Sequence, residues 1–252
     1  MKNFLLILFA LLFASSNIYA QKSLNLVMKR SEFAQWRDDE LKSDIFENLP
    51  YRIAQFGSST KNPPILIVWL HGGHSSGTDN NSHIGENSDA IGKIARYLQL
   101  TNTKAILAAP HCSEQMRENP NQTTTLLCRW IDNIIAKHGA DPKRVYLIGA
   151  SFGGMLVSKI ASYRPDIPAA VEIIATVPHI NNATKEDFAV CCVASDEGNP
   201  HKFERVQLCM AQLEQEGFNT RFVVRTGLSH REVCSIGITQ TNLNWLLNFR
   251  RK

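Results

Sequence analysis

Three observations predict an α/β architecture, with a mostly parallel sheet in the middle layer and helices on both of its faces. From about residue 50 onward, short β-rich apolar runs alternate with amphipathic segments of helical spacing. Most of these runs are apolar nearly throughout, as strands covered on both faces must be. One of them, Val145-Tyr146-Leu147-Ile148, passes directly into the glycine-flanked turn Gly149-Ala150-Ser151-Phe152-Gly153 and then into a helical pattern.

The strands read, in order, Tyr51 to Phe56, Ile65 to Leu70, Ala105 to Ala109, Val145 to Ile148, Val171 to Ala175, Ala189 to Ala194 and Arg221 to Arg225. The first alternates in polarity and is expected at an edge of the sheet. Between them, Ile91, Ile94, Ala95 and Leu98 share one helical face, as do Leu127, Trp130, Ile131, Ile134 and Ile135, closed by Gly139. Met155, Leu156, Ile160 and Ala161, with Pro165 beyond, form another. Phe203, Val206, Met210 and Leu213, closed by Gly217, form the next, and Leu243, Leu246, Leu247 and Phe249 end the chain. About a dozen residues separate the strand ending near Ala175 from the one beginning near Ala189, too few for a large lid domain.

The first twenty residues have the layout of a secretory signal peptide: Lys2, an uncharged apolar run from Phe4 to Phe13, then small residues ending at Ala20. Cleavage there leaves 232 residues, enough for one α/β domain over residues 50–252 with the segment 21–49 laid on it as a surface helix. Export to a periplasm or the medium is expected, with no stable membrane span once the leader is removed. All six cysteines, Cys112, Cys128, Cys191, Cys192, Cys209 and Cys234, lie in the exported part, and an even count there favours disulfides. Cys112 with Cys128 is the least demanding local loop, whereas adjacent Cys191 and Cys192 point to opposite faces of a strand. Their spacing does not suggest a metal site. A formal net charge of +4 for the whole chain is too mild to imply nucleic acid. Oligomeric state leaves no mark in the sequence.

The pattern Gly149-x-Ser151-x-Gly153 after a strand is how a nucleophilic serine is mounted on a strained turn, with glycines removing the Cβ atoms that would collide. Acyl transfer by a serine needs a base, an orienting carboxylate and oxyanion donors. The base must titrate near neutrality, which selects histidine. His230 follows the last strand, in a loop able to reach back over the serine, and ranks above His179 and His201. Asp196 follows the strand Ala189 to Ala194 and precedes the turn formers Gly198, Asn199 and Pro200. It is the first choice for the carboxylate, with Glu197 as the alternative. The oxyanion donors are expected from the backbone NH of Phe152 and from Gly73 or His74, in the loop His71-Gly72-Gly73-His74 after the strand Ile65 to Leu70. His71 reads as a turn-stabilising side chain.

His71-Gly72-Gly73, Gly149-Ala150-Ser151-Phe152-Gly153 and the order Ser151, Asp196, His230 resemble the α/β-hydrolase superfamily over residues 50–252. Within it, Asp141-Pro142-Lys143-Arg144-Val145-Tyr146-Leu147-Ile148-Gly149 is similar to the lead-in segment of secreted polyhydroxybutyrate-depolymerase-like and feruloyl-esterase-like proteins, and also to that of peptidase-type and dienelactone-hydrolase-like branches. The resemblance implies hydrolysis of a small-molecule or polymeric ester through an acyl-enzyme on Ser151, without metal or organic cofactor. A site without a large lid suits a short acyl ester or a polymer end. A peptidase or acyltransferase using the same serine, and a non-catalytic exported binding protein, are the competing expectations.

Overall fold

The computed structural model describes residues 23–58, 62–85, 90–197 and 199–252. The expected signal peptide lies outside the described residues. Eight strands form one sheet: β1 (Lys42–Phe46), β2 (Leu49–Phe56), β3 (Ile65–Leu70), β4 (Ala105–Pro110), β5 (Val145–Ala150), β6 (Ala170–Ile174), β7 (Ala189–Ser195) and β8 (Thr220–Arg225). Their spatial order is β1-β2-β4-β3-β5-β6-β7-β8. The β1–β2 and β2–β4 pairs are antiparallel and all the others parallel.

Alternation along the buried strands divides the core into two layers. Ile65, Ile67 and Trp69 of β3 face one way, onto helices α1 (Arg30–Asp39), α2 (Ala90–Thr101), α7 (His230–Ile236) and α8 (Gln240–Leu247). Leu66, Val68 and Leu70 face the other way, onto α4 (Pro120–His138), α5 (Phe152–Tyr163) and α6 (Pro200–Gln215). A short α3 (Glu114–Glu118) precedes α4. Helix α4 ends at Gly139 in the left-handed region (φ +63), which relieves the steric cost of reversing the chain there. No helix of the described residues is long and apolar enough to cross a membrane.

Three expectations need correction. Residues 42–46, expected within a surface helix, pair as a strand, Lys42 opposite Ile53 through Phe46 opposite Leu49. The strand expected at the edge is therefore covered, and β1 is the edge on that side, with β8 at the other. The cysteines close no disulfide: all six are free thiols. Cys191 lies in the first core and Cys192 in the second. Burial pushes the Cys112 and Cys128 thiols up to about 12, so they behave as small apolar side chains.

The helix expected in residues 21–49 is α1, with Phe33 and Trp36 buried in the first core. From α1 the chain turns into β1, whose Asp44 accepts from Tyr51 Oη at 2.6 Å and Lys137 Nζ at 2.7 Å.

Candidate active site

Ser151 joins β5 to α5 at φ 55 and ψ −113, a conformation that L-residues adopt only under constraint. Its backbone NH donates to Ile174 O at 2.8 Å, fixing the turn to the end of β6. A Cβ on Gly149 would lie 2.4 Å from Gly153 O, and one on Gly153 would lie 2.0 Å from Leu70 O. Neither space admits a side chain, so both glycines are steric requirements of bringing strand, turn and helix together.

His230 reaches this serine, with 3.0 Å separating its Nε2 from Ser151 Oγ. It is presented by the first turn of α7 rather than by an irregular loop. Ser229 caps that helix by accepting from Glu232 NH at 3.4 Å, and Glu232 accepts in return from Ser229 NH at 2.8 Å. Burial, and then the neighbouring Lys202 ammonium, hold the imidazole below the ordinary histidine range, favouring the neutral form that accepts a proton.

Asp196 lies at the end of β7, beside the chain that leads to His230. Its Oδ1 accepts from Gly227 NH at 3.0 Å, and Ser195 Oγ donates to Leu228 O, so the β7–α6 and β8–α7 loops are tied together. Among the described residues, no hydrogen bond joins His230 to Asp196 or to Glu197. The structure thus brings serine and histidine together, and it places the Asp196 carboxylate on the backbone of the histidine's loop. Glu197 is exposed, with a carboxylate oxygen 4.0 Å from the position of a Gly227 Cβ.

The loop after β3 lies against the nucleophile turn: Cβ atoms built on Gly72 and Gly73 would fall 3.7 Å from Ser151 Cβ and 3.5 Å from Phe152 Cβ. Residues Gly73–Ser75 form a single 3-10 turn closed by Ser75 NH to Gly72 O at 3.0 Å and Ser76 NH to Gly73 O at 3.2 Å. The amides of Gly73 and His74 precede those donors and are not used by the turn. Phe152, first residue of α5, has no helical carbonyl for its NH. His71 donates from Nδ1 to Gly72 O at 2.9 Å and accepts at Nε2 from Cys112 NH at 3.0 Å.

Behind His71 lie two histidines that sequence reading did not connect with the site. The rings of His83 and His111 stack with centroids 4.4 Å apart, and each packs edge-on to His71. His111 accepts at Nδ1 from Asn80 NH at 3.0 Å and donates from Nε2 to Ser75 O at 3.0 Å; His83 donates from Nε2 to Ala109 O at 3.0 Å. Burial holds His71 down to about 4 and His83 to about 2, so the cluster is a neutral scaffold for the turn.

Two clefts meet at Ser151 and His230. One, of about 310 Å³, runs between the Gly72–Ser75 turn and α7, over Trp69, Ile84, Ile91 and Cys234. The other, of about 590 Å³, lies between the end of β6 and α6, over Thr176, Lys202, Phe203 and Val206. Cys234 Sγ is 3.9 Å from His230 Nε2. Its position four residues after His230 would have revealed this proximity had the helix been expected. Lys202 carries no comparable signal.

A mostly parallel eight-stranded sheet, a strained serine at the β5–α5 turn and a histidine brought to it after β8 are the α/β-hydrolase fold. A secreted lipase, lipase 5 of Gibberella zeae, is 31% identical over 136 residues, 51% of this chain and 25% of its own length. The chain thus spans about a quarter of that relative. A thermostable esterase of known structure superposes with a TM-score of 0.71 at 19% identity, over 84% of this chain and 64% of its own. A feruloyl esterase module from Clostridium thermocellum gives 0.57 at 12% identity, over 75% and 81%. No family profile matches the chain.

Proposed function

We propose that this chain is an exported carboxylic ester hydrolase that works through an acyl-enzyme on Ser151. The observation that carries the reading is the 3.0 Å contact between Ser151 Oγ and His230 Nε2 at the strained turn. His230 takes the serine proton as Oγ attacks the ester carbonyl carbon, and the carbonyl π-electrons move onto oxygen. The NH groups of Phe152 and of Gly73 or His74 donate to that oxyanion. His230 then returns its proton to the departing alkoxide, leaving the acyl-enzyme, and water repeats the sequence to release the acid.

Asp196 is assigned as the carboxylate that stabilises the imidazolium, with Glu197 as its alternative; the tie from Asp196 to Gly227 supports the assignment by holding the carboxylate beside the histidine's loop. The absence of a large insertion between β6 and β7 favours short acyl esters or polymer ends over long buried chains. Export rests on the leader-like residues 1–20.

Labelling with a fluorophosphonate probe, alongside hydrolysis of short p-nitrophenyl esters, tests the reading. Ser151→Ala and His230→Ala should each lose the labelling and about 10³-fold or more of the turnover. Wild-type protein inert in both assays would refute it. Of Asp196→Ala and Glu197→Ala, only the true partner should cost several orders of magnitude.

A further inference from the structure

The larger cleft holds a cation that touches neither Ser151 nor the carboxylates near it. Lys202, half-buried in the first turn of α6, donates from Nζ to Ala175 O at 2.8 Å. Ala175 sits at φ 58 just past β6, which turns this carbonyl toward the cleft wall. An ammonium has three donors, and burial without a counter-charge is costly. No ion pair joins Lys202 to a carboxylate of the described residues. The described residues supply it no counter-charge, while its cleft is continuous with Ser151 and His230.

The surroundings fit a carboxylate on a short apolar stem. Phe203 and Val206 supply an apolar wall, and Thr176, Ser195 and Asn199 line the same cleft with polar groups. Glu197 also borders it, but its carboxylate is directed toward Gly227. An ester whose carbonyl lies over Ser151 must send one half into each cleft. The smaller cleft is floored by Trp69, Ile84 and Ile91, whereas the larger one presents the ammonium.

We propose that the Lys202 cleft is an anion subsite, so that the preferred substrates are esters carrying a carboxylate on the half that lies beyond Ser151 on the α6 side. This rests on the esterase reading of Ser151. A negative charge there gives the half-buried ammonium a charge-assisted partner that the described residues do not supply.

The test uses isosteric pairs differing only in charge: 4-acetoxybenzoate against 4-acetoxybenzamide for a carboxylate on the leaving group, and monoethyl adipate against its carboxamide for one on the acyl group. The readout is the ratio of kcat/KM, carboxylate over carboxamide, at low ionic strength. Wild type should show a ratio of about tenfold or more in at least one pair. Lys202→Met should bring it to near one, and Lys202→Arg should retain it. A wild-type ratio near one in both pairs, or a ratio that survives Lys202→Met, overturns the subsite. Should no ester be turned over, the activity reading fails by itself. The subsite is then judged by calorimetry with monoethyl adipate: binding that Lys202→Met abolishes supports it, and binding that is absent or equal in the two proteins overturns it.

Discussion

Replacing Glu172 by glutamine should make the protein more stable, by an amount that depends on pH in one direction only. Glu172 lies in β6 between Ile148 of β5 and Cys191 of β7, with none of its surface exposed. Its Oε1 accepts from Asn242 Nδ2 at 2.8 Å, and its Oε2 has no hydrogen-bond partner. Burial raises its pKa from an ordinary 4.5 to about 7, against the lowering effects of Asn242, Arg221 and Arg225. The folded protein thus keeps a proton that the unfolded chain releases, and stability falls as pH rises from about 4.5 to about 7, then levels off. At 1.36 kcal/mol per pKa unit the window is worth about 3 kcal/mol. Urea unfolding of wild type and Glu172→Gln across pH 4 to 8 isolates it, because every other titrating group is common to both. The variant should gain about 3 kcal/mol relative to wild type across that window. Parallel stability curves would mean that Glu172 is ionised in the folded state or neutral in both states, and the reasoning would fail.

The histidines behind the Gly73–Ser75 turn act with the opposite sign. His71, held down to about 4, binds a proton less readily in the folded state, so its contribution is complete above pH 6.5 and about 3 kcal/mol is lost as pH falls toward 4; His71→Gln should shrink that acid-side loss in the same unfolding assay. Gly153→Ala, whose methyl would sit 2.0 Å from Leu70 O, should cost about 3 kcal/mol or more and abolish fluorophosphonate labelling; a stable, labelled variant would contradict the packing of the turn. Phe33→Ala, at a fully buried position on the inner face of α1, should cost about 3–5 kcal/mol in thermal or urea unfolding, and a loss below 1 kcal/mol would show that residues 30–39 contribute little to the domain. Lys202→Met should raise the pH at which kcat/KM falls on the acid side, since the ammonium depresses the His230 pKa; an unmoved acid limb would exclude that coupling.

Strands such as Ile65–Leu70 and Val145–Ala150 were legible because burial on both faces leaves an unbroken apolar run. The strand Lys42–Phe46 was not. It is mostly exposed and owes its conformation to pairing with β2 and to Asp44 holding Tyr51 and Lys137, partners far outside any local window. Helix α7 is too short to show a hydrophobic period, although its capping pair Ser229 and Glu232 stood in the sequence. Ser151 and His230 were readable since one is fixed by glycine sterics and the other by following the last strand. Whether Asp196 binds an imidazole or the Gly227 amide depends on side-chain torsions, which no spacing pattern encodes. Lys202 and the His83–His111 stack are assembled only by tertiary folding.

The covering of β2 by β1 bears on association between molecules. Without residues 42–46, β2 would offer the backbone donors and acceptors of Leu49–Phe56 along an open flank, beside the buried Leu49, Tyr51 and Ile53. Such a flank templates pairing with another chain. The strand that replaces it outside is short and carries Lys42, Ser43 and Asp44, with Asp44 already committed to Lys137. Residues remote from Ser151 thereby cover this flank of the sheet, and a chain in which residues 42–46 no longer pair with β2 is expected to self-associate along Leu49–Phe56.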